Sequence, residues 1–500
     1  MIEEHLPLLI VVIPLLSAPI AAVLPNGRIA WLFSTLISFI VFYLASTQLF
    51  EISSLASTDA PVKSIQYALG NWPPPIGIEF KIDGANALVA LIISAIAAIC
   101  MPYAYTSVAR EIPEKQTALF YSAYLLCLTG LLGIVQTGDI FNLFVFLEIS
   151  SLSSYALISL GKQRRALTAA YQYLIMGTIG ATFFLIGVGL LYAETGTLNM
   201  TDLAQRLPEV FEYRTVHSGF AFILIGIALK LALFPLHLWL PNAYTYAPSI
   251  VTIFLAATAT KVAVYVMIRI IFTVFGINLI ESTPTRELFL LLGMAGVIAA
   301  SITAIYQTNA KRLFAYSSVA QIGYMVLGIG FGSVLGLTAS FVHIFNHAIM
   351  KAALFMALGA IMYRISSNHI SDMRGLARKM PWTFGAFVIA GLSLIGVPGT
   401  AGFISKWYLV LAALEQQAWI VVAVILTGSL LAVAYIWKLV EIMYFNSASE
   451  TKNDDVKEAP LSLLLPLWLL VIANLYFGID TSVTVGVAEP TAAMLLGGKP

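Results

Sequence analysis

The sequence predicts an all-α membrane protein that crosses the bilayer many times. Of its 500 residues, 60% are hydrophobic and only 10% are charged, and the mean hydropathy is +0.91. Soluble domains carry about 25% charged residues. Apolar stretches recur along the whole chain, and a helix needs about 20 such residues to cross a bilayer. Composition and length of the stretches therefore indicate a polytopic protein and argue against a nucleic acid partner.

The apolar stretches predict about fourteen spanning helices. The chain starts with acidic residues, Glu3 and Glu4, ahead of its first apolar run. A secretory signal would have a basic start and a shorter apolar core, so we interpret this run as a retained helix. The predicted spans are centred near residues 15, 40, 97, 127, 150, 180, 228, 260, 297, 322, 348, 395, 431 and 470.

Lysine and arginine are distributed unevenly between the connections. With fourteen spans, the loops after odd-numbered helices hold more than twice as many of these residues as the opposite side. Cytoplasmic loops carry an excess of Lys and Arg. We therefore expect the odd loops to be cytoplasmic, both termini to lie on the non-cytoplasmic side, and the protein to reside in the inner (plasma) membrane.

Two of the predicted helices contain residues that interrupt a helix. Lys230 is followed by Pro235, and Lys406 follows Gly396 and Pro398. Proline removes a backbone donor and glycine loosens the helix. Paired interruptions in two halves of a chain are typical of transporters built from repeats. The two interruptions are five helices apart, and an odd-numbered unit repeated in tandem must enter the membrane from opposite sides, so the repeats would be inverted.

Charged residues lie inside several of these apolar stretches, at an insertion cost of about 2.5–3.5 kcal/mol each near the bilayer centre. The plausible partner of Glu148 is Lys230. An opposite charge favours both ionised forms, while desolvation disfavours them. Such a pair could open when a proton or water arrives. The alternative is a static ion pair that fixes helix packing.

Lys261 has no acidic residue in its own predicted helix. Because burial disfavours the charged amine, Lys261 is a candidate proton carrier. The alternative is a side chain that extends to the membrane interface.

His343, His347 and Lys351 follow one another at spacings of four, so they should line one face of one helix. Histidine titrates near neutral pH, and a face with three such groups could pass protons through intervening waters. The alternatives are hydrogen-bonded core histidines or a zinc site, for which two histidines four residues apart are a weak signal; we predict no metal and no cofactor.

Five further residues are possible access or auxiliary groups. Near Lys406, a glutamate nine residues on could exchange a proton at the end of its helix, and a Lys/Glu pair closes the thirteenth span. One aspartate could cap its helix, and one histidine could connect Lys230 to the next helix. These residues are Glu415, Lys438, Glu441, Asp139 and His237.

At these residues the chain resembles the antiporter-like subunits shared by Mrp-type cation/proton antiporters, respiratory complex I and membrane-bound hydrogenases. The matching segments lie between about residues 80 and 446, and their joint pattern is specific. Around Glu148, and in overall length, the chain is most similar to the D-type subunits of Mrp antiporters. The segments are Gly138–Glu148, Phe234–Pro241, Lys311–Tyr324, His343–Phe355 and Gly402–Trp407.

The resemblance implies fourteen helices, with helices 1–3 in residues 1–110 and helix 14 with a tail in residues 447–500. It implies two inverted five-helix repeats, helices 4–8 in residues 111–276 and helices 9–13 in residues 285–446. It also implies a proton path at the membrane midplane along Glu148, Lys230, Lys261, His343, His347, Lys351 and Lys406.

The chain departs from the resemblance at two neighbouring positions. Many relatives carry Asp and His where this chain has Asn242 and Tyr244, so any role of a titratable group there does not carry over.

Three functions are consistent with these observations. The first is a proton-translocating subunit of a multisubunit antiporter that exchanges protons for a monovalent cation, Na⁺ in the first instance. The second is a proton-pumping subunit of a redox-driven complex, either complex I-like or hydrogenase-linked. The third is a scaffold whose ion pairs only hold helices together. The first two require other membrane subunits as partners, and neither makes this chain an enzyme by itself.

Overall fold

A computed structural model of the protein describes residues 3–56, 64–277, 282–445 and 456–497. Within these ranges nearly all regular structure is helical, and 13 helices are long and apolar enough to cross a membrane. The one sheet among the described residues is an antiparallel hairpin ahead of the third long helix. The predicted all-α, polytopic fold is therefore confirmed.

The first half of the chain contains two long helices, the hairpin and then a series of further long helices. Its last long segment, residues 249–275, is a helix in two parts that ends in a π-helical stretch, Arg269–Phe275. In chain order the elements are α1 (Leu6–Val23), α2 (Gly27–Ala56), β1 (Ile65–Ala68), β2 (Glu79–Ile82), α3 (Gly84–Glu111), α4 (Thr117–Gln136), α5 (Ile140–Ser159), α6 (Arg165–Thr195), α7 (Met200–Val210), α8 (Arg214–Leu231), α9 (Trp239–Tyr246), α10 (Ser249–Ala257) and α11 (Ala259–Ile268).

All the helices and strands that the structure describes in the second half are helices. Its longest helix has 32 residues and carries the predicted His/Lys face through the centre of the bundle. In chain order the elements are α12 (Thr285–Ile305), α13 (Ala310–Phe331), α14 (Val334–Ile365), α15 (Pro381–Ile395), α16 (Ala401–Glu415), α17 (Trp419–Tyr444), α18 (Leu461–Ile479) and α19 (Val485–Leu495).

Both predicted helix interruptions are present. After α8, Ala232 adopts a left-handed conformation with φ of +60°, and Pro235 stands before α9. After α15, Gly396 has φ of +93° and Gly399 has φ of +85°. Residues without a Cβ adopt such angles at little cost. The span predicted near residue 395 is consequently divided between α15 and α16, each too short to cross a bilayer alone.

A third interruption was not predicted. α10 and α11 are separated at Thr258, whose φ and ψ of −122° and −57° are not helical. No proline or glycine lies there; instead the Thr258 hydroxyl donates to the carbonyl of Phe254 at 2.7 Å. A threonine hydroxyl that bonds the carbonyl four residues back is known to bend helices. This break places Lys261 in the first turns of a new half-helix.

The two ends of the bundle can be distinguished by their contacts. At one end, which we call the hairpin face, β2 contacts the start of α5: Gly138 N donates to Glu79 O at 2.9 Å. At the other end, the basic face, connections after α3, α5, α9 and α14 surround a cavity of about 170 Å³ lined by Arg110, Lys162 and Lys311. The connections predicted to share a side therefore do share one.

Each face carries the same local arrangement. At the hairpin face, Asp139 forms an antiparallel bridge with Asn199, and its side chain accepts from Asn142 N to cap α5. At the basic face, Asn309 forms an antiparallel bridge with His369 and caps α13 through Arg312 N. The partners of the two bridges are equally far apart along the chain. The same combination of a bridge and a helix cap thus occurs at both ends of the bundle.

α6 and α8 approach closely through glycines. A Cβ on Gly187 would lie 2.6 Å from Gly219 O and 2.5 Å from a side-chain carbon of Ile223. A Cβ on Gly226 would lie 2.6 Å from Gly180 O. The separation of these two helices is therefore set by backbone contact, which fixes the position of Lys230 at the end of α8.

We expect Gly187→Ala to destabilise the folded protein by about 1–3 kcal/mol, because the added methyl group overpacks the contact between α6 and α8. Gly189→Ala is the matched control, since nothing lies within 4 Å of a Cβ at that position in the same helix. The midpoint of thermal unfolding in detergent measures the difference. Equal midpoints for the two variants would contradict the close contact.

Candidate functional site

Glu148 and Lys230 form an ion pair between α5 and α8. Lys230 Nζ lies 3.0 Å from Glu148 Oε1 and donates to Ser151 Oγ at 2.7 Å. The amine is buried, whereas 26% of the Glu148 side chain is exposed. The predicted pairing is therefore confirmed as geometry, and its carboxylate lies at the edge of the bundle rather than inside it.

The surface around Glu148 is otherwise apolar. Phe141, Val145 and Leu152 are exposed on the same face of α5, at the spacings that put residues on one side of a helix. A carboxylate in the middle of such a face would meet lipid in an isolated chain, which is unfavourable.

Lys261 is buried at the break between α10 and α11. Its amine donates to the carbonyl of Ala256, in the last turn of α10, and lies 3.3 Å from Thr260 Oγ1. In the part of the chain that the structure describes, no carboxylate forms an ion pair with it. The carbonyl end of a helix carries partial negative charge, so the end of α10 takes the place of an acidic partner.

His343, His347 and Lys351 lie on one face of α14, as predicted, and all three are buried. The two imidazole rings are stacked with centroids 5.6 Å apart. His343 Nδ1 lies 2.7 Å from Ser405 Oγ, and its Nε2 lies 3.0 Å from Gln321 Oε1. His343 thus connects α14 to both α13 and α16.

The other two groups on this face differ in their contacts. Lys351 Nζ donates to Phe314 O at 2.9 Å and to the Ser317 hydroxyl, both on α13. Neither ring nitrogen of His347 has a hydrogen-bond partner among the described residues. Buried polar atoms are rarely unpaired in proteins, so His347 is a position where a water molecule would be favourable.

Lys406 follows the interruption between α15 and α16. Its amine donates to Leu394 O at 3.1 Å and Ile395 O at 2.8 Å, and contacts Ser429 Oγ at 3.1 Å. It also lies 4.9 Å from the centroid of the Tyr324 ring. As at Lys261, carbonyls at the end of a half-helix surround a buried amine.

The four lysines described above, whose side-chain nitrogens we call the interior amines, share one further feature. Each amine contacts a serine or threonine hydroxyl in addition to its other partners. A hydroxyl can accept a hydrogen bond from an ammonium group or donate one to a neutral amine, so these contacts suit both protonation states. The pairs are Lys230 with Ser151, Lys261 with Thr260, Lys351 with Ser317, and Lys406 with Ser429.

Lys438 differs from these four. Its amine donates to the carbonyls of Ile305 and Gln307 at 2.8 and 2.9 Å, where it caps the end of α12. Glu441, three residues on, is exposed. A helix-end role accounts for Lys438, and the structure does not bring it together with the other amines.

Among the described residues, the remaining auxiliary groups form no hydrogen bond or ion pair with the interior amines. Asp139 caps α5, and burial raises the pKa of its carboxyl above the ordinary value, although backbone hydrogen bonds from Asn142 and Phe141 act in the opposite direction. His237 packs against Phe234 and Tyr316, so it reaches the second half of the chain. Glu415 is the exposed last residue of α16.

Sequence reasoning missed several buried polar residues. Gln321 and Ser405 contact His343 from different helices. Lys311 is buried at the basic face, where its amine donates to Ala247 O at 3.0 Å. A second buried ion pair, Asp83 with Arg269, joins the start of α3 to the end of the segment 249–275. Gln321, Ser405 and Lys311 fell within matching segments, but nothing in the sequence specified their partners.

The chain is similar to known proteins over most of its length. Residues 137–432 match the family model described as NADH:quinone oxidoreductase/Mrp antiporter, TM. The chain is 41% identical to the N-type subunit of NADH-quinone oxidoreductase from Desulforudis audaxviator, over 95% of this chain and 96% of that protein. It is 32% identical to the D-type subunit of the Na⁺/H⁺ antiporter from Alkalihalophilus pseudofirmus, over 82% of each chain.

A solved structure shares the whole architecture. A chain of the membrane-bound sulfane sulfur reductase, an archaeal respiratory membrane complex, superposes with a TM-score of 0.88 at 32% identity, covering 98% of both chains. Because the family model covers more than half of the sequence, the chain belongs to the NADH:quinone oxidoreductase/Mrp antiporter transmembrane family.

Proposed function

We propose that this chain relays protons along its buried amines and imidazoles, as one subunit of a multisubunit antiporter that exchanges protons for a monovalent cation, Na⁺ in the first instance. One observation carries the proposal. Of the four interior amines, only Lys230 has a carboxylate partner among the described residues, and all four contact a hydroxyl that suits either protonation state.

The relay would run through both halves of the chain. Glu148, Lys230 and Lys261 belong to the first half, and the α14 face with Lys406 belongs to the second. The stacked histidines lie between Lys351 and the end of α16 that carries Lys406, since His343 contacts Ser405. A proton passing along this line would remain near the membrane midplane, where charged groups are otherwise rare.

We further propose that residues 111–276 and 285–446 form two inverted repeats. Support comes from the broken helices α8–α9 and α15–α16, which occupy equivalent positions in the two ranges. The bridges Asp139–Asn199 and Asn309–His369 support it independently, since they lie on opposite faces of the bundle. An inverted repeat would account for the same combination of a bridge and a helix cap at both ends of the bundle.

Partner subunits are part of the proposal. The apolar face of α5 around the partly exposed Glu148 would be covered by another membrane subunit, which would remove the carboxylate from lipid. We place the complex in the inner (plasma) membrane, with the basic face in the cytoplasm and both termini on the other side, because Lys and Arg are concentrated in cytoplasmic loops.

A redox-driven complex is a second candidate. The 41% identity to an N-type subunit of NADH-quinone oxidoreductase and the TM-score of 0.88 to a chain of a respiratory membrane complex favour it. In that setting the same relay would pump protons, and partner subunits would carry the electrons. The two candidates differ in what drives the relay rather than in the relay itself.

We expect Lys230→Ala to reduce Na⁺-dependent proton movement in membrane vesicles to background, because the substitution removes one carrier and leaves Glu148 unpaired. Lys438→Ala is the matched control, since that amine only caps α12; it should retain wild-type transport. Blotting for a tag on the chain normalises for the amount of complex. Wild-type rates per complex in Lys230→Ala would favour the scaffold hypothesis instead.

Two substitutions of Lys261 test whether the group there must exchange its proton or only needs to be positively charged. We expect both Lys261→Ala and Lys261→Arg to lose transport, because a guanidinium keeps the positive charge but does not release its proton. The measurement is again Na⁺-dependent proton movement per assembled complex. Full activity in Lys261→Arg would show that a fixed charge is sufficient there, and full activity in Lys261→Ala would confine the route to the first half.

Purification from native membranes distinguishes the two candidate complexes. A tag on this chain should bring down small hydrophobic membrane subunits alone if the chain belongs to an antiporter. Mass spectrometry of the eluted proteins provides the measurement, with an untagged strain as the control. Stoichiometric iron–sulfur or nickel proteins in the eluate would instead assign the chain to a redox-driven complex.

A further inference from the structure

A column of polar groups runs toward the hairpin face from Tyr265, one helical turn after Lys261. Lys261, Tyr265 and Arg269 follow one another at spacings of four, so they lie on one side of their helix. The Tyr265 hydroxyl donates to Val135 O at 3.0 Å. The Asn86 amide donates to the same carbonyl at 3.2 Å and also to Lys81 O. Hydrogen-bonding groups therefore connect the turn next to Lys261 with strand β2 at the hairpin face.

The ion pair of Asp83 and Arg269 lies across this column. The Arg269 guanidinium donates to the Asp83 carboxylate and, through Nε, to the Tyr265 hydroxyl at 2.8 Å. Both charged side chains are buried. Asp83 is held in turn by Ala85 N at 2.9 Å and by the capping box at the start of α3. The pair is therefore fixed from both sides and occupies the point where the column meets the hairpin.

A guanidinium is suited to closing such a column. It does not release its proton at physiological pH, so it cannot take part in a relay by titrating.

We propose that the Asp83–Arg269 pair closes the route between Lys261 and the hairpin face, a role that we call the seal. A proton on Lys261 is then passed along the relay and does not escape directly across the membrane. This role depends on the proposed function, since it assumes that Lys261 carries protons. Arg269 and Asp83 are positioning residues in this scheme, and neither binds nor releases a proton.

The proposal predicts different results for the two halves of the pair. Arg269→Gln leaves Asp83 facing the column, and an unpaired carboxylate can bind and release protons. Asp83→Asn breaks the same ion pair but leaves the guanidinium in place. A purely structural pair would give both variants the same phenotype, because each loses the same interaction.

The test uses the complex purified through a tag on this chain and reconstituted into liposomes. The decay of an imposed pH gradient is followed with a pH-sensitive dye in the absence of the exchanged cation. We expect Arg269→Gln to dissipate the gradient several-fold faster than wild type, and Asp83→Asn to decay at the wild-type rate. The double variant Lys261→Ala with Arg269→Gln should return to the wild-type rate.

Three results would overturn the seal: equal leaks in both single variants, no leak in Arg269→Gln, or a leak that persists without Lys261. If Arg269→Gln does not assemble, Arg269→Lys takes its place, because it keeps the pair but introduces an amine that can release a proton; wild-type decay there also overturns the seal. Coupled exchange in Lys261→Ala alone is measured in parallel. Its retention would refute the proposed relay, whereas its loss without a leak in the Arg269 variants would refute only the seal.

Discussion

The four interior amines lie within this helical bundle, where burial of an unpaired ion costs several kcal/mol. Only one of them has a carboxylate within 4 Å among the described residues. The bundle compensates with the carbonyl ends of broken helices. Lys261 contacts the end of α10, and Lys406 contacts the end of α15. The interruptions therefore supply the partial negative charge that keeps these amines inside the protein.

Contacts of an amine with carbonyls and hydroxyls differ from an ion pair in one respect. A carboxylate partner would favour the ammonium form strongly, whereas carbonyls and hydroxyls stabilise it less and a hydroxyl also accommodates the neutral amine. The histidine face of α14 follows the same principle, since His343 contacts a hydroxyl and an amide rather than a carboxylate. Most of the interior polar groups are therefore compatible with more than one distribution of protons.

The sequence was sufficient to predict the helical class, the burial of the four interior amines and of His343 and His347, and two of the three helix breaks. Glu148 lies at the edge of the bundle instead. Pro235 and Gly396 act through their own backbone conformation, so they are visible in a single sequence. The break at Thr258 coincides with a side chain bonding to its own helix, but Thr129 makes the same bond within α4 without a break. Contacts of His343 with Gln321 and Ser405, and of Asp83 with Arg269, join residues far apart in the chain, and such pairings follow only from the packing of the helices.

The glycine contacts between α6 and α8 limit how the first ion pair can move. Backbone atoms of the two helices already touch at Gly180 and Gly226, so the helices cannot slide or approach without collision. Interiors packed in this way switch between discrete arrangements rather than deforming continuously. Gly226 lies one turn before Lys230, so the amine is held in place, and opening of the Glu148–Lys230 pair would require movement of the Glu148 side chain, of which 26% is exposed. The α6–α8 contact then makes the lysine the rigid half of the ion pair and leaves the glutamate as its adjustable half.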